Sequence, residues 1–144
     1  MNNSEKNTGK VPPQNIDAEK SLLGAILIDE EVLIDVAEIV RPIDFYDKRH
    51  ATIYGGIIRL FEKHSPVDLL TLTDELSKKN ELDGVGGASY LSELTNHVPT
   101  AAHAKSYAEI ISQAAVRRRL IKASSDISEL AFNEDLTVPE LLGQ

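Results

Sequence analysis

Apolar residues recur at helical spacing along most of the chain, and polar clusters interrupt them at regular intervals. Leu22, Leu23, Ile26 and Leu27 share one helix face. They predict a first helix opened by Asn15 as N-cap, with Asp17 and Glu19 placed to complement the helix dipole. A second helix is predicted behind Asp29-Glu30-Glu31, carrying Val32, Leu33, Val36, Ala37 and Val40 and ending before Pro42. Asp47 caps a third, with Ile53, Tyr54, Ile57, Ile58 and Phe61 facing inward and Ser65-Pro66 ending it. Gly55-Gly56 inside that helix costs about 1 kcal/mol per glycine against alanine, which a close helix crossing would offset. Thr71 with Asp74 reads as a capping box for a fourth helix that buries Leu72 and Leu76 and closes at Lys78-Lys79-Asn80. Gly84, Gly86 and Gly87 mark a turn before a short fifth helix holding Tyr90, Leu91 and Leu94.

Pro99-Thr100 opens the longest element, predicted from Ala101 to about Phe132 because neither Gly nor Pro interrupts it. With Tyr107 at zero and about 100° per residue, Ile110, Ile111, Ala114 and Ile121 fall within roughly 60° of zero. Val116, Leu120, Ala123, Ile127, Leu130 and Ala131 gather on the other side, near about 180°. Lys122, Ser125, Ser128 and Glu129 take over the first side in the second half. The apolar stripe therefore changes sides between Ala114 and Leu120. Two arrangements would produce this. The helix packs on a head and then offers its other face to an antiparallel partner, or it is buried on two sides within one domain. Thr137 and Glu140 form a further capping box, with Pro139 tolerated in the first turn, that would open such a partner helix.

No segment alternates as a strand does, so the expected fold class is all-α. The expected architecture is a compact multi-helix head followed by a long helix that begins a truncated helical hairpin. Its expected divisions are a flexible arm over residues 1–14, the head over 15–99, and the long helix with the start of a second hairpin helix over 100–144. With that second helix cut short, the fragment is expected to dimerise poorly.

Composition narrows the function classes. At 144 residues the chain suits one domain with a real core. Aromatic residues are 5% and Trp is absent, so the core rests on Leu, Ile, Val and Ala. The net charge of −8 makes the domain a poor primary binder of DNA, where phosphates must be neutralised. Cysteine is absent, which removes disulfides, thiolate chemistry and Cys-based zinc sites together. No apolar run reaches the roughly 20 residues that span a bilayer, and the polar stretch Met1 to Lys10 lacks a signal peptide's apolar core. A cytoplasmic protein without a membrane partner is expected.

Catalytic motifs are missing. There is no Gly-x-x-x-x-Gly-Lys-Ser/Thr segment, and Gly9-Lys10 lacks both the upstream glycine and the following hydroxyl. Gly84-Val85-Gly86-Gly87 does not match a dinucleotide-binding turn and follows no strand. His50, His64, His97 and His103 contain no i, i+4 pair, so surface or cap roles are expected for them. Ser89 lies outside a nucleophile elbow, and Asp29-Glu30-Glu31 reads as helix-start acids. Arg117-Arg118-Arg119 with Lys122 is the one basic cluster. Three consecutive arginines splay around a helix, which suits a solvated face or ion pairs between subunits better than a DNA contact. No catalytic, cofactor or metal site is expected in this chain.

The same residues carry a family pattern. Pro12-Pro13-Gln14-Asn15-Ile16-Asp17-Ala18-Glu19, then Ser21-Leu22-Leu23-Gly24, resembles the opening of bacterial DnaB-type replicative helicases. Asp44-Phe45-Tyr46 with His50 and Ile53, and Pro66-Val67-Asp68-Leu69 with Thr71, resemble the next blocks. Val85-Gly86-Gly87 with Tyr90-Leu91 and Leu94 follows, then Val98-Pro99-Thr100-Ala101-Ala102 with Tyr107-Ala108, then Arg118-Arg119-Leu120-Ile121. The resemblance spans about Val11 to Leu142. It implies the N-terminal domain of such a helicase, a helical head with a hairpin. It further implies pairing between helicase subunits within a hexameric ring, and recruitment of primase and of a helicase loader. The ATP-dependent, magnesium-dependent machinery that unwinds DNA would lie in a RecA-like domain outside this chain.

Joined to the helical wheel, the resemblance makes Tyr90, Leu120, Ile121, Ala123, Ile127 and Leu130 the candidate partner or subunit contacts. Ordinary core packing is the alternative for each. A direct DNA-binding module built on the Arg117 cluster and a free-standing regulator of a helicase are the rival functions.

Overall fold

The structure is a computed structural model that describes residues 10–143. Most of the expected arm, residues 1–9, lies outside them. Only helices and turns occur among the described residues, as the sequence pattern predicts.

The first helix, α1 (Ile16–Ile28), begins where Asn15 Oδ1 accepts the Ala18 N–H at 2.9 Å. The stretch from Ser21 to Leu27 is buried throughout, so α1 has no solvent face along that length. A helix enclosed this way must be the centre of its domain. The fifth helix (Gly87–Thr95, α5) and the long helix (Ala104–Phe132, α6) make its most extensive contacts, with the third (Lys48–Glu62, α3) also against it. Gly24 permits the α1–α5 contact. A Cβ there would stand 2.2 Å from the Leu94 carbonyl oxygen, closer than any side chain tolerates.

The second helix is shorter than its apolar pattern predicts. A 3₁₀ turn at Glu30–Val32 leads into one α turn, α2 (Leu33–Val36), and looser turns follow. Val32, Ile34, Val36, Ile39 and Val40 are β-branched and resist continuing a helix. Leu33, Val36 and Val40 are nonetheless buried, so the expected face survives the lost hydrogen bonds. A 3₁₀ turn at Pro42–Asp44 then delivers the chain to the Asp47 cap of α3, where Asp47 Oδ1 accepts the Arg49 N–H at 2.9 Å.

Gly56 fulfils the expected close crossing: the side chains of Leu72 and Leu76 lie 3.1 and 3.0 Å from where its Cβ would be. Gly55 does not, since only the tip of Arg59 lies nearby. The helix they meet, α4 (Leu69–Lys78), starts earlier than predicted. Asp68 is its N-cap, and Asp68 and Thr71 exchange side chain to backbone bonds of 2.9 Å in both directions. The capping box is therefore Asp68–Thr71, not Thr71–Asp74, because an aspartate three residues upstream offers the stronger cap. Asp74 pairs with Lys78 instead. A 3₁₀ turn at Asp83–Val85 and Gly86, at φ +107°, precede α5.

The long helix starts at Ala104 and not Ala101, since Thr100 caps a local turn by accepting the Ala102 N–H. After it, Thr137 accepts the Glu140 N–H and opens a single turn, α7 (Val138–Leu142), which makes one half of the expected capping box without the return bond from Glu140.

Candidate interaction surface

The two ends of α6 live in different surroundings. Ala104, Ala108, Ile111 and Ala115 are buried, with Tyr107 half-buried beside them. On the wheel these four lie between about 40° and 100°, so the packed stripe is rotated from the predicted one. Ile110 falls outside it and is exposed, which corrects its predicted inward placement. Beyond Ala115 no residue of α6 is buried. Leu120 is 65% exposed, Ile121 56%, Ile127 66% and Phe132 83%. Val116 and Ala123 are exposed too, and Leu130 is half-buried.

An ionic clamp marks the boundary between the halves. Arg118 donates to the Pro13 carbonyl at 2.8 Å and to the Asp44 carbonyl at 2.6 Å, and its guanidinium lies 5.5 Å from the Tyr46 ring centroid. Arg119 meets the buried Asp44 carboxylate at 3.0 Å. That carboxylate also accepts the Arg41 N–H at 2.9 Å. Charged donors on carbonyls and carboxylates are among the stronger hydrogen bonds, so the clamp holds where the apolar stripe ends. Below it, burial pushes the Tyr54 phenol's pKa well up, with the neighbouring Asp44 charge adding to the effect. The Tyr54 hydroxyl donates to the Val40 carbonyl.

A second polar chain crosses the head. Glu19 is buried, and its carboxylate accepts the Tyr46 N–H at 2.7 Å and the Asp47 N–H at 3.2 Å. It also meets His50 Nδ1 at 2.8 Å, while His50 Nε2 lies 2.6 Å from the Tyr90 hydroxyl. Expected at the surface, His50 is instead fully buried, and Glu19 is a structural acceptor rather than a dipole-facing acid. Burial pushes the Tyr90 phenol's pKa up, against the opposing charge of Arg49, whose guanidinium sits 4.5 Å over its ring. No fully buried side-chain nitrogen or oxygen among the described residues lacks a hydrogen-bond partner. None is left aimed at a ligand.

Four of the six candidate contacts, Leu120, Ile121, Ala123 and Ile127, stand exposed on the distal half of α6. Leu130 is partly covered at its end, and Tyr90 sits on the head, its hydroxyl bound to His50. Val116 and Phe132 extend the exposed apolar surface and were not among the candidates. The roles of Arg118 and Arg119 were missed as well, though the signal existed. They lie at about 20° and 120° on the wheel, flanking the packed stripe, whereas Arg117 lies at about 280°. Two of three consecutive arginines therefore had to meet the rim of the head, and only the third faces away.

Residues 11–113 match the family described as DnaB-like helicase N terminal domain. The replicative DNA helicase DnaB of Geobacillus stearothermophilus is 39% identical over 141 residues, covering 98% of this chain and 31% of that protein. The chain thus spans about a third of the length of that curated relative. Among solved structures, the N-terminal domain of DnaB helicase from Mycobacterium tuberculosis superposes with a TM-score of 0.89 at 37% identity, covering 92% of this chain and 94% of that one. A structure of a DnaB-like replicative helicase and its interactions with primase matches with a TM-score of 0.72 at 28% identity, covering 80% of this chain and 27% of that one. A family match over most of the chain, agreeing with the fold and its helix order, places this chain in the DnaB-like helicase N-terminal domain family.

Proposed function

We propose that this chain is the non-catalytic assembly and primase-docking domain of a cytoplasmic replicative DNA helicase. The observation that carries the reading is the distal half of α6, where bulky apolar side chains stand unpacked next to a well-filled core. Several bulky apolar side chains left exposed along one helix segment support a protein–protein contact. The matched structure of a DnaB-like helicase with primase supports primase as a partner. Helicase subunits would pair through the α6 face within a hexameric ring, and a helicase loader is a further candidate partner. The residues involved are Leu120, Ile121, Ala123, Ile127 and Leu130, with Tyr90 as an anchor on the head.

ATP and magnesium would be bound by a RecA-like domain of the complete helicase. The residues present here do not fit them. The sequence has no phosphate-cradling glycine loop, and among the described residues no group of three or more acidic or histidine side chains could hold a metal. Direct DNA binding by the arginine cluster is disfavoured because Arg118 and Arg119 already hold Pro13 and Asp44.

Calorimetric titration of the chain with the C-terminal helical region of its primase tests the proposal. Binding is expected, weakened tenfold or more by Leu120→Glu combined with Ile127→Glu. A complete helicase that bound primase equally well without this domain would sink the docking role. Binding of single-stranded or forked DNA whose affinity fell steeply with salt would favour the DNA-binding alternative.

A further inference from the structure

The head carries a second apolar feature, on residues the α6 surface does not use. Ile34 on α2 is 65% exposed, and Phe61 near the end of α3 is 38% exposed, although its spacing predicted an inward position. Both line one cleft of about 250 Å³, floored by Val67 and rimmed by Glu30, Glu31 and His64. That volume lies below the ~300–1,000 Å³ usual for small-molecule sites. It suits one or two anchoring side chains of a protein partner instead.

The cleft has a fixed frame. Glu30 accepts the Val67 N–H and ties the 3₁₀ turn before α2 to the segment after α3. His64 holds φ +58°, a left-handed conformation that disfavours side chains other than glycine, while its N–H bonds to the Phe61 carbonyl at 3.0 Å. The following Ser65 N–H bonds to the Leu60 carbonyl at 3.0 Å, completing the turn that ends α3. Its charge is one-sided. Two carboxylates rim the cleft, no lysine or arginine lines it, and Lys63 beside it in sequence is engaged by Glu75 on α4 at 2.9 Å.

We infer that the Ile34–Phe61 cleft docks a cationic amphipathic segment of a partner protein, inserting apolar side chains between Ile34 and Phe61 and setting lysine or arginine against Glu31 and Glu30. An apolar slot rimmed by acids accepts such a segment. It repels nucleic acid and anionic membranes, whose phosphates would face the same carboxylates. The inference does not depend on the α6 reading, since no residue is shared.

The test is an NMR titration of the ¹⁵N-labelled chain with a helical Leu/Lys peptide, and with its Leu/Glu counterpart as control. The Leu/Lys peptide is expected to shift amides around Ile34, Phe61 and His64. Ile34→Ser with Phe61→Ser should weaken it about tenfold. Both side chains are already exposed, so the fold should persist, which the unperturbed remainder of the spectrum checks. Glu31→Lys should weaken the Leu/Lys peptide several-fold and improve the Leu/Glu one. Leu120→Ser with Ile127→Ser should change neither, which separates this site from the docking face on α6. The inference is overturned by no binding at millimolar peptide, by shifts confined to α6 or spread over every acidic surface, or by indifference to the Ile34 and Phe61 substitutions.

Discussion

Between Ala104 and Ala115 the long helix is held by small side chains around one Ile111, laid closely against α1. Between Val116 and Phe132 it carries several large apolar side chains, Leu120, Ile127 and Phe132 among them, and buries none. Ranked by the bulk of their apolar side chains alone, Leu120, Ile121, Ile127 and Phe132 would be core and the alanines of the first half would not. The reverse arrangement shows what determines burial here. Close approach of α6 to the central helix requires small residues at the contact, as at Gly24 where α5 meets α1. Large side chains beyond the clamp have nothing in the described residues to pack against. Apolar mass without a partner points to a partner, whereas small residues at helical spacing point to a contact already made.

Substitutions should separate the two regions sharply. The largest effect is expected in the head's polar chain. Glu19→Ala strips the acceptor from two backbone N–H groups and from His50, and should cost about 3–5 kcal/mol in urea denaturation. Next comes a matched pair within one helix: Ile111→Ala should cost about 2–5 kcal/mol. Ile127→Ala should stay within about 0.5 kcal/mol, as surface changes do. Equal losses at the two isoleucines would erase the distinction between the halves. At the boundary, Arg118→Ala should cost about 1–3 kcal/mol. Hydrogen exchange should then quicken around Pro42–Asp44 and at the start of the distal half, but not in α4.

A further effect is a matter of pH. Hydrogen bonds from Arg59 and Lys63 hold the Glu75 carboxyl at about 2, below the ordinary glutamate value of 4.5. A depressed folded-state pKa contributes stability that is complete above the unfolded value and is lost as pH falls through the folded one. Stability should therefore decline between about pH 4.5 and 2 partly through this group, and Glu75→Gln should flatten that stretch of the profile. The exposed Lys122–Asp126 pair on distal α6 should contribute nothing comparable.

Much of this was legible from periodicity. The helix order, the Asn15, Asp47 and Thr137 caps, and the buried Leu22, Ile26, Leu72, Leu76, Leu91 and Leu94 all follow from spacing and cap chemistry. The exposure of Leu120 and Ile127 agrees with a stripe that changes sides, whereas Ile110 and Ile121 lie on the first side of the wheel and are exposed too. What escaped were interactions between residues far apart in sequence. Glu19, His50 and Tyr90 are separated by 31 and 40 positions, and each alone looks like an ordinary surface or helix-start residue. Gly24 sits among leucines with nothing local to reveal the carbonyl opposite it. Phe61 fits the inward face of α3 by its spacing, but it falls where the helix is ending and lines the rim of a cleft.

The Arg118–Arg119 clamp also has a mechanical meaning. From Arg119 to Phe132 the helix runs on for about 20 Å at 1.5 Å per residue. The clamp is then the fulcrum of a lever, anchored by Asp44 on one side and the Pro13 backbone on the other. A tilt of about 10° at the fulcrum would swing the tip by roughly 3–4 Å over that length. That is enough to displace the exposed apolar side chains of the distal half by about their own width while the head stays unchanged. Because Pro13 is one of the anchors, tension on the chain's N-terminal segment would bear directly on the helix at its pivot.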